Sequence, residues 1–159
     1  MIADPPRPKG SRGGWWVVVQ TILLAALIVS PQAWRWTATP RALWVALGAG
    51  LVASGLGLAA RAILDLGPNL TPFPVPRRRG ILVQTGAYAR TRHPIYGGLI
   101  IAAVGWALWR MSGLHLLLAA ILTLFLSAKA GREELFLADR FPEYVSYRSR
   151  TRRLIPWLF

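Results

Sequence analysis

The segment Gly86-Ala-Tyr-Ala-Arg-Thr-Arg-His-Pro-Ile-Tyr-Gly-Gly98 begins as a polar, basic stretch and ends as the start of an apolar run. The chain around it has 54% hydrophobic and 16% charged residues, whereas a soluble globular domain has about 25% charged residues. In a membrane protein, charged and titratable side chains beside an apolar segment usually have a function. The segment therefore predicts the boundary of a membrane helix and a functional site at that boundary.

Four apolar stretches predict an all-α, polytopic integral membrane protein with about four transmembrane helices. The second stretch, Ala42 to Ala60, carries no charge and has close to the ~20 residues that a helix needs to cross a bilayer. The third and fourth are shorter and are separated only by Arg110, Met111 and Ser112, which predicts a tight helical hairpin. The predicted spans cover about residues 15–33, 42–63, 94–109 and 113–130.

The spans and their connections predict a single domain over residues 15–159. Residues 1–14, rich in Pro, Gly and Arg, predict a disordered tail. Prolines in the loop 65–93 impose an extended path on it, and the tail 131–159 is predicted to contain a cytoplasmic helical segment. In the second span, small residues at helical spacing predict close packing against another helix; they are Ala49, Ala53 and Gly57, with Gly50 and Ser54.

The basic residues predict the orientation in the membrane. The chain has 19 Lys and Arg residues, and all but Arg35, Arg41 and Arg110 lie in the two tails and the long loop. Because positive charge is concentrated on the cytoplasmic side of membrane proteins, both termini and the long loop are predicted to be cytoplasmic.

Composition also narrows the possible functions. The net charge of +13 is explained by topology and by contact with anionic membrane lipids, so no nucleic acid partner is predicted. Cysteine is absent, which excludes disulfides, thiolate metal sites and cysteine nucleophiles, and no metal site is predicted.

The chemistry of the opening segment centres on the start of the third helix. Pro94 suits a first helical turn, which would place His93 at the cap. The free N–H groups of that turn, up to Gly97, would then point into the loop beside Arg92 and form an anion site. Gly97 also lacks a side chain, so that a ligand or another helix can come close.

A second group of polar residues follows the last span. Glu133 and Glu134 are two of only six acidic residues in the chain. A carboxylate pair at the edge of the hydrocarbon region is costly unless it is paired or functional. The pair is therefore predicted either to form a salt bridge with Arg132 or Arg92, or to accept hydrogen bonds from a ribose diol, an amine or a cationic centre.

Aromatic and basic residues continue beyond this pair. Tyr144 and Tyr147 have helical spacing after Pro142, and Arg148 follows them. One interpretation is an amphipathic helix that lies on the membrane surface. The other is a lid of aromatic and Arg side chains over a bound ligand.

Two motifs in this order resemble those of a known family. The first is Leu82-Val83-Gln84-Thr85-Gly86-Ala87-Tyr88 with Arg92-His93-Pro94-Ile95-Tyr96-Gly97-Gly98. The second is Glu133-Glu134 with Phe141-Pro142-Glu143-Tyr144-Val145-Ser146-Tyr147-Arg148 and Arg153-Leu154-Ile155-Pro156. Over about residues 55–158 the chain resembles the isoprenylcysteine carboxyl methyltransferase family, to which phospholipid N-methyltransferases are related. Ala87 departs from the Pro that is common in the family, and the short chain is more similar to prokaryotic members, which implies a prokaryotic inner-membrane protein.

The resemblance implies S-adenosylmethionine as methyl donor in a cytoplasm-facing pocket, and a lipophilic small-molecule or lipid acceptor that carries a carboxylate or an amine. It implies three catalytic residues, Glu134, His93 and Arg148, of which Glu134 or His93 would be the base for an amine. The implied cofactor-binding residues are Gln84, Gly86, Tyr88, Arg92, His93, Pro94, Tyr96, Gly97, Glu133, Glu134, Tyr144 and Tyr147.

Two other hypotheses fit parts of the pattern. NADPH-dependent membrane reductases of the sterol reductase kind also contain Arg-His-Pro and Tyr-x-Gly. In those enzymes Asn typically precedes the Tyr and Glu often follows the Gly, whereas this chain has Ile95 and Gly98. A non-enzymatic membrane protein is the third hypothesis, but nearly all polar chemistry is clustered at one face of the membrane, which favours an enzyme.

Overall fold

The computed structural model describes residues 13–75 and 80–155. Within those ranges the chain forms α-helices and short 3-10 segments and contains no named strand, so the predicted all-α fold is confirmed. Of the predicted disordered tail, residues 1–12 lie outside the described residues. The helices are α1 (Gly14–Val29), α2 (Arg41–Leu66), α3 (Pro94–Arg110), α4 (Gly113–Arg140) and α5 (Tyr144–Arg150), and the 3-10 segments are Gly67–Asn69 and Gly86–Ala89.

Two segments of the described chain are long and apolar enough to cross a membrane. They are Arg41–Asn69, which contains α2, and Gly113–Arg140, which is α4. The helix α1 has 16 residues and α3 has 17, which at ~1.5 Å per residue is shorter than the ~30 Å hydrocarbon core. Two candidate spans are therefore supported by length and composition, and four spans stay a prediction.

Two helix ends differ from the sequence prediction. The helix α1 ends at Val29 rather than near residue 33, because Ser30 precedes Pro31 and takes an extended conformation with ψ 142°. The helix α4 continues to Arg140 rather than ending near residue 130, since no proline interrupts it before Pro142. As a result Glu133 and Glu134 project from a long helix and not from a separate tail.

Small residues bring α2 and α3 into close contact. A Cβ atom on Gly55 would lie 2.5 Å from the carbonyl oxygen of Gly98, and one on Gly48 would lie 2.7 Å from that of Gly105. The prediction of close packing by small residues is right, but the predicted face is wrong. Gly50 and Gly57 have nothing within 4 Å of the place where a Cβ atom would be, and they lie on the outer side of α2.

The chain after α5 returns to the start of α3. The N–H of Arg92 donates to the carbonyl of Arg152 at 2.8 Å, and the N–H of Arg152 donates to the carbonyl of Arg90 at 2.9 Å. Leu154 is then buried in the hydrophobic core that α1, α3 and α4 share. This pairing places the two motifs, which are far apart in sequence, side by side.

Candidate functional site

A buried ion-pair cluster joins the two motifs. Glu134 Oε1 lies 2.8 Å from Arg92 Nε, and their side chains are only 7% and 9% exposed. The same oxygen lies 3.4 Å from His93 Nε2 and 3.5 Å from Arg153 Nε. We call Glu134, Arg92, His93 and Arg153 the Glu134 cluster. The salt bridge to Arg92, one of the two predicted alternatives for the carboxylate pair, is present.

The second carboxylate approaches His93 from the other side. Tyr96 donates a short hydrogen bond from its hydroxyl to Glu133 Oε1, and Glu133 Oε2 lies 3.4 Å from His93 Nδ1. The rings of His93 and Tyr96 are stacked, with centroids 5.6 Å apart and an angle of 3° between their planes. His93 therefore lies between two carboxylates and against an aromatic face.

This environment changes the protonation of His93. Burial by itself lowers the pKa of His93, but the interactions with Glu133 and Glu134 outweigh burial and hold the pKa above its ordinary value of 6.5. The protonated ring can then donate toward both carboxylates, while a neutral ring can donate toward only one of them.

The raised pKa predicts a stability contribution that depends on pH. The charged His93 stabilises the folded protein fully below pH 6.5, and this contribution is lost as the pH rises through the higher folded-state pKa. We expect the difference in unfolding temperature between the wild type and His93→Gln to be larger near pH 6 than near pH 9. Thermal unfolding of both proteins in one detergent, over that range, measures the difference. A difference that is constant or grows with pH would contradict the charge assignment.

Arg92 fastens the C-terminal segment to the start of α3. Besides its contact with Glu134, it donates from Nη1 to the carbonyl of Thr151 at 2.5 Å and to the carbonyl of Arg148 at 3.1 Å. Arg92 was predicted to bind an anionic group of a ligand. In the structure its Nε and Nη1 atoms donate to protein acceptors instead. Arg92 therefore links the start of α3 to α4 and to the C-terminal segment.

The predicted helix start is present, with one correction. His93 is the N-cap residue of α3 and Pro94 is the first helical residue. The N–H of Gly97 was predicted to be free, but in the structure it donates to the carbonyl of His93 at 3.0 Å. A Cβ atom on Gly97 would collide with the carbonyl oxygen of Leu154, so the glycine accommodates the C-terminal segment.

A cavity of about 320 Å³ lies beside this cluster, between α1, the end of α2, α3, α4 and the loop that precedes α3. Six of the predicted site residues line it, namely Tyr88, Arg92, His93, Tyr96, Glu133 and Tyr147. Seven others lie outside its walls, namely Gln84, Gly86, Pro94, Gly97, Glu134, Tyr144 and Arg148. The rest of the wall is mostly apolar and comes from the loop, with Leu70, Phe73, Ile81 and Val83 among its members.

The helix α5 turns its two tyrosines inward. The hydroxyl of Tyr147 donates to the carbonyl of Tyr88 at 2.7 Å, and burial raises the pKa of Tyr147 to about 12, so that the donor stays protonated. Tyr144 is 1% exposed and packs edge to face on Tyr147, whereas Val145 and Arg148 face outward. The helix thus covers the cluster with aromatic side chains and exposes its basic side chains.

Two more predicted residues shape the loop. Gln84 accepts a hydrogen bond from Arg150 Nη2 at 2.6 Å. Gly86 has a φ of +62° and lies against the carboxylate of Asp65, which accepts the N–H of Ala87 at 2.8 Å. Both residues hold the loop in place at a distance from the cavity.

Sequence reasoning missed Lys129 and Gln20. Both line the cavity, and Lys129 is 2% exposed although it was counted among the basic residues of the cytoplasmic tail. The signal that marks them is the presence of an ionisable and an amide side chain inside otherwise apolar helices.

Comparison with known proteins gives a family and several relatives. The sequence model described as phospholipid methyltransferase matches residues 43–144, which is more than half of the chain. The chain is 30% identical to the cobalt-zinc-cadmium resistance protein CzcN of Cupriavidus metallidurans over 92% of this chain and 64% of that protein. It is 30% identical to the nickel-cobalt-cadmium resistance protein NccN of Alcaligenes xylosoxydans xylosoxydans over 92% of this chain and 65% of that protein.

A further relative matches a shorter region. The chain is 44% identical to methanethiol S-methyltransferase 1 of Bradyrhizobium diazoefficiens over 44% of this chain and 24% of that protein. The chain therefore spans less than two thirds of the length of each of these three relatives. Residues 13–75 and 80–155 contain no group of three His, Asp or Glu side chains that is placed to hold a metal ion.

Proposed function

Because this chain belongs to the phospholipid methyltransferase family, we propose that it is an integral membrane methyltransferase that uses S-adenosylmethionine. Its acceptor is lipophilic, carries a carboxylate or an amine, and meets the donor at the cytoplasmic face of a prokaryotic inner membrane, where both termini lie. A relative that is named as a methanethiol S-methyltransferase supports methyl transfer.

The observation that carries this proposal is the cavity to which both motifs contribute. His93 and Tyr96 come from the first motif, Glu133 and Tyr147 come from the second, and all four line the same space. The volume of about 320 Å³ falls within the range of about 300–1,000 Å³ that is usual for small-molecule sites. When bound, S-adenosylmethionine supplies an electrophilic methyl group on a sulfonium.

The residues in the cavity wall fit such a donor. In this proposal the carboxylate of Glu133 accepts hydrogen bonds from a ribose diol or faces the sulfonium charge. The rings of Tyr88 and Tyr147 offer aromatic surface to an adenine or to a cation. The Nε2 atom of His93 lies toward Glu134, at 3.4 Å from its Oε1, so His93 contributes to the wall mainly through its ring and its charge.

Glu134 acts from behind the wall. Glu134 holds Arg92 and His93 in place, and Arg92 in turn holds the tail that brings Tyr147 to the cavity. The protein then contributes mainly by positioning two substrates in a site from which water is excluded. An amine acceptor needs a base, and of the two predicted candidates only His93 lines the cavity.

Replacement of Glu133 by Gln tests the donor site. Because the amide of the new side chain would still accept the hydroxyl of Tyr96 but carry no charge, we expect Glu133→Gln to fold and to bind S-adenosylhomocysteine about tenfold or more weakly. Titration calorimetry of the purified protein in detergent measures this affinity. The matched control is Arg132→Gln, which changes an exposed residue next to Glu133 and should leave the affinity unchanged.

The same titration separates the proposed function from its rivals. Binding of S-adenosylhomocysteine without binding of NADPH supports a methyltransferase. Binding of NADPH alone would establish the reductase hypothesis instead, and binding of neither would favour a non-enzymatic membrane protein. Incubation of a lipid extract with radiolabelled donor then identifies what is methylated.

A further inference from the structure

Lys129 and Gln20 form a polar pair inside the apolar helices. Lys129 lies on α4 one turn before Glu133, and Gln20 lies in the middle of α1. The ammonium of Lys129 donates to Gln20 Oε1 at 2.7 Å and to the carbonyl of Pro72 at 3.0 Å. Both side chains line the cavity, although Lys129 is only 2% exposed.

Lys129 forms no close ion pair within the described residues. Its hydrogen-bond partners there are neutral oxygens, and no described carboxylate lies within salt-bridge distance of it. Glu133, one turn along the helix, attracts the ammonium over a longer distance, but its oxygens face the hydroxyl of Tyr96 and the ring of His93. A buried ammonium without a directly paired carboxylate is costly, so an anion that enters the cavity is attracted to this point.

Tyr96 separates two ends of opposite charge in the cavity. The ammonium of Lys129 lies over the face of the Tyr96 ring, 5.2 Å from its centroid, while the hydroxyl of Tyr96 reaches Glu133. The end at Glu133 is therefore suited to a cationic group and the end at Lys129 to an anionic one. A sulfonium and an anionic acceptor would satisfy both ends at once.

We propose that Lys129, held by Gln20, binds the anionic end of the methyl acceptor and thereby selects a carboxylate over an amine. The inference rests on the proposed function and narrows its acceptor. An alkylamine carries a positive charge at neutral pH, since its pKa is near that of lysine, about 10.4. Lys129 repels such a cation, whereas it attracts a carboxylate, which is already ionised at neutral pH.

Two soluble six-carbon probes test this selectivity, namely hexanoate and hexylammonium. Calorimetry of the purified protein saturated with S-adenosylhomocysteine should show hexanoate binding about tenfold or more tightly than hexylammonium. Tighter binding of hexylammonium by the wild type would overturn the proposal.

Variants of the pair attribute the selectivity to Lys129. Lys129→Gln should lose the preference, Lys129→Arg should keep it, and Arg132→Gln, which removes an exposed charge from the same helix, should behave as the wild type. Gln20→Glu keeps the shape of the side chain and places a carboxylate where Oε1 now lies 2.7 Å from the ammonium, so it should abolish binding of hexanoate without unfolding the protein. Retention of tight hexanoate binding by Lys129→Gln or by Gln20→Glu would refute the assignment.

Binding of S-adenosylhomocysteine in the same preparations keeps the two proposals distinguishable. If the donor analogue does not bind but hexanoate binds in a Lys129-dependent manner, the methyltransferase proposal fails and the anion site stands. If the donor analogue binds and hexanoate binding does not depend on Lys129, the anion site fails and the methyltransferase proposal stands.

Discussion

Replacing Glu134 by Ala is expected to lower the free energy of unfolding by about 3–5 kcal/mol and to abolish binding of S-adenosylhomocysteine. Glu134 Oε1 faces Arg92, His93 and Arg153, and its side chain is 7% exposed. Without the carboxylate, the buried Arg92 and His93 and the partly exposed Arg153 remain close together with no compensating charge from this position. Their repulsion would release the tail from α3 and open the cavity. Denaturant unfolding in mild detergent and calorimetry measure the two effects.

A second acidic residue of the same helix provides the control. Asp139 is exposed, and its replacement by Ala should change the free energy of unfolding by no more than about 0.5 kcal/mol. Glu134→Gln retains the shape but not the charge, so it should still be markedly destabilising. Equal stability of the Glu134→Ala and Asp139→Ala variants would show that the Glu134 cluster does not hold the tail in place.

Replacing Gly97 by Ala is expected to destabilise the protein by about 1–3 kcal/mol and to disrupt the cavity, even without any ligand. The added methyl group would collide with the carbonyl oxygen of Leu154 and would come within 3.1 Å of its carbonyl carbon. Both atoms belong to the backbone and cannot rotate away. The segment that contains Thr151 and Arg153 would have to move, and with it the hydrogen bonds to Arg92 and His93. The apparent unfolding temperature in detergent measures the loss.

An exposed glycine of α2 serves as the matched control. Gly57 lies in α2 and has nothing within 4 Å of an added Cβ atom, so Gly57→Ala should leave the unfolding temperature unchanged or raise it. The Gly97 variant also tests how this residue acts. If it keeps wild-type stability but loses affinity for S-adenosylhomocysteine, Gly97 acts as a ligand contact, as the family resemblance implies, and not through the packing of the tail.

Local features of the fold were predictable where local chemistry determines them. The cap at His93, the first turn at Pro94 and the hairpin at Met111 and Ser112 follow from proline geometry and from the length of the apolar runs. The early end of α1 was predictable from the same rule, because Pro31 restricts the conformation of Ser30. It was missed because the apolar residues that follow were counted as part of the span. The continuation of α4 to Arg140 was missed because polar residues were taken as the end of a span, although they are good helix formers.

Contacts between distant segments were predictable only in outline. Both the family and the association of the two motifs were predicted from the residues, and the family is confirmed. The face of α2 that packs on α3 was predicted wrongly. Gly48 and Gly50 are the same residue type in the same helix, but only Gly48 contacts the backbone of α3. Glu133 lines the cavity and Glu134 does not. The sequence could not distinguish them, because the two residues are identical and adjacent.

The sequence by itself determined that this is a helical protein with apolar segments and a basic, His-containing boundary, because hydropathy, proline positions and charge act over short distances along the chain. It also determined the family, because the motifs are contiguous strings of residues. Only the tertiary structure decided that Glu134 holds Arg92 and the tail together, that Gly97 accommodates Leu154, and that Lys129 reaches the cavity beside Gln20. These are contacts between residues far apart in sequence, and their energies depend on distances and burial that exist only once the helices have packed.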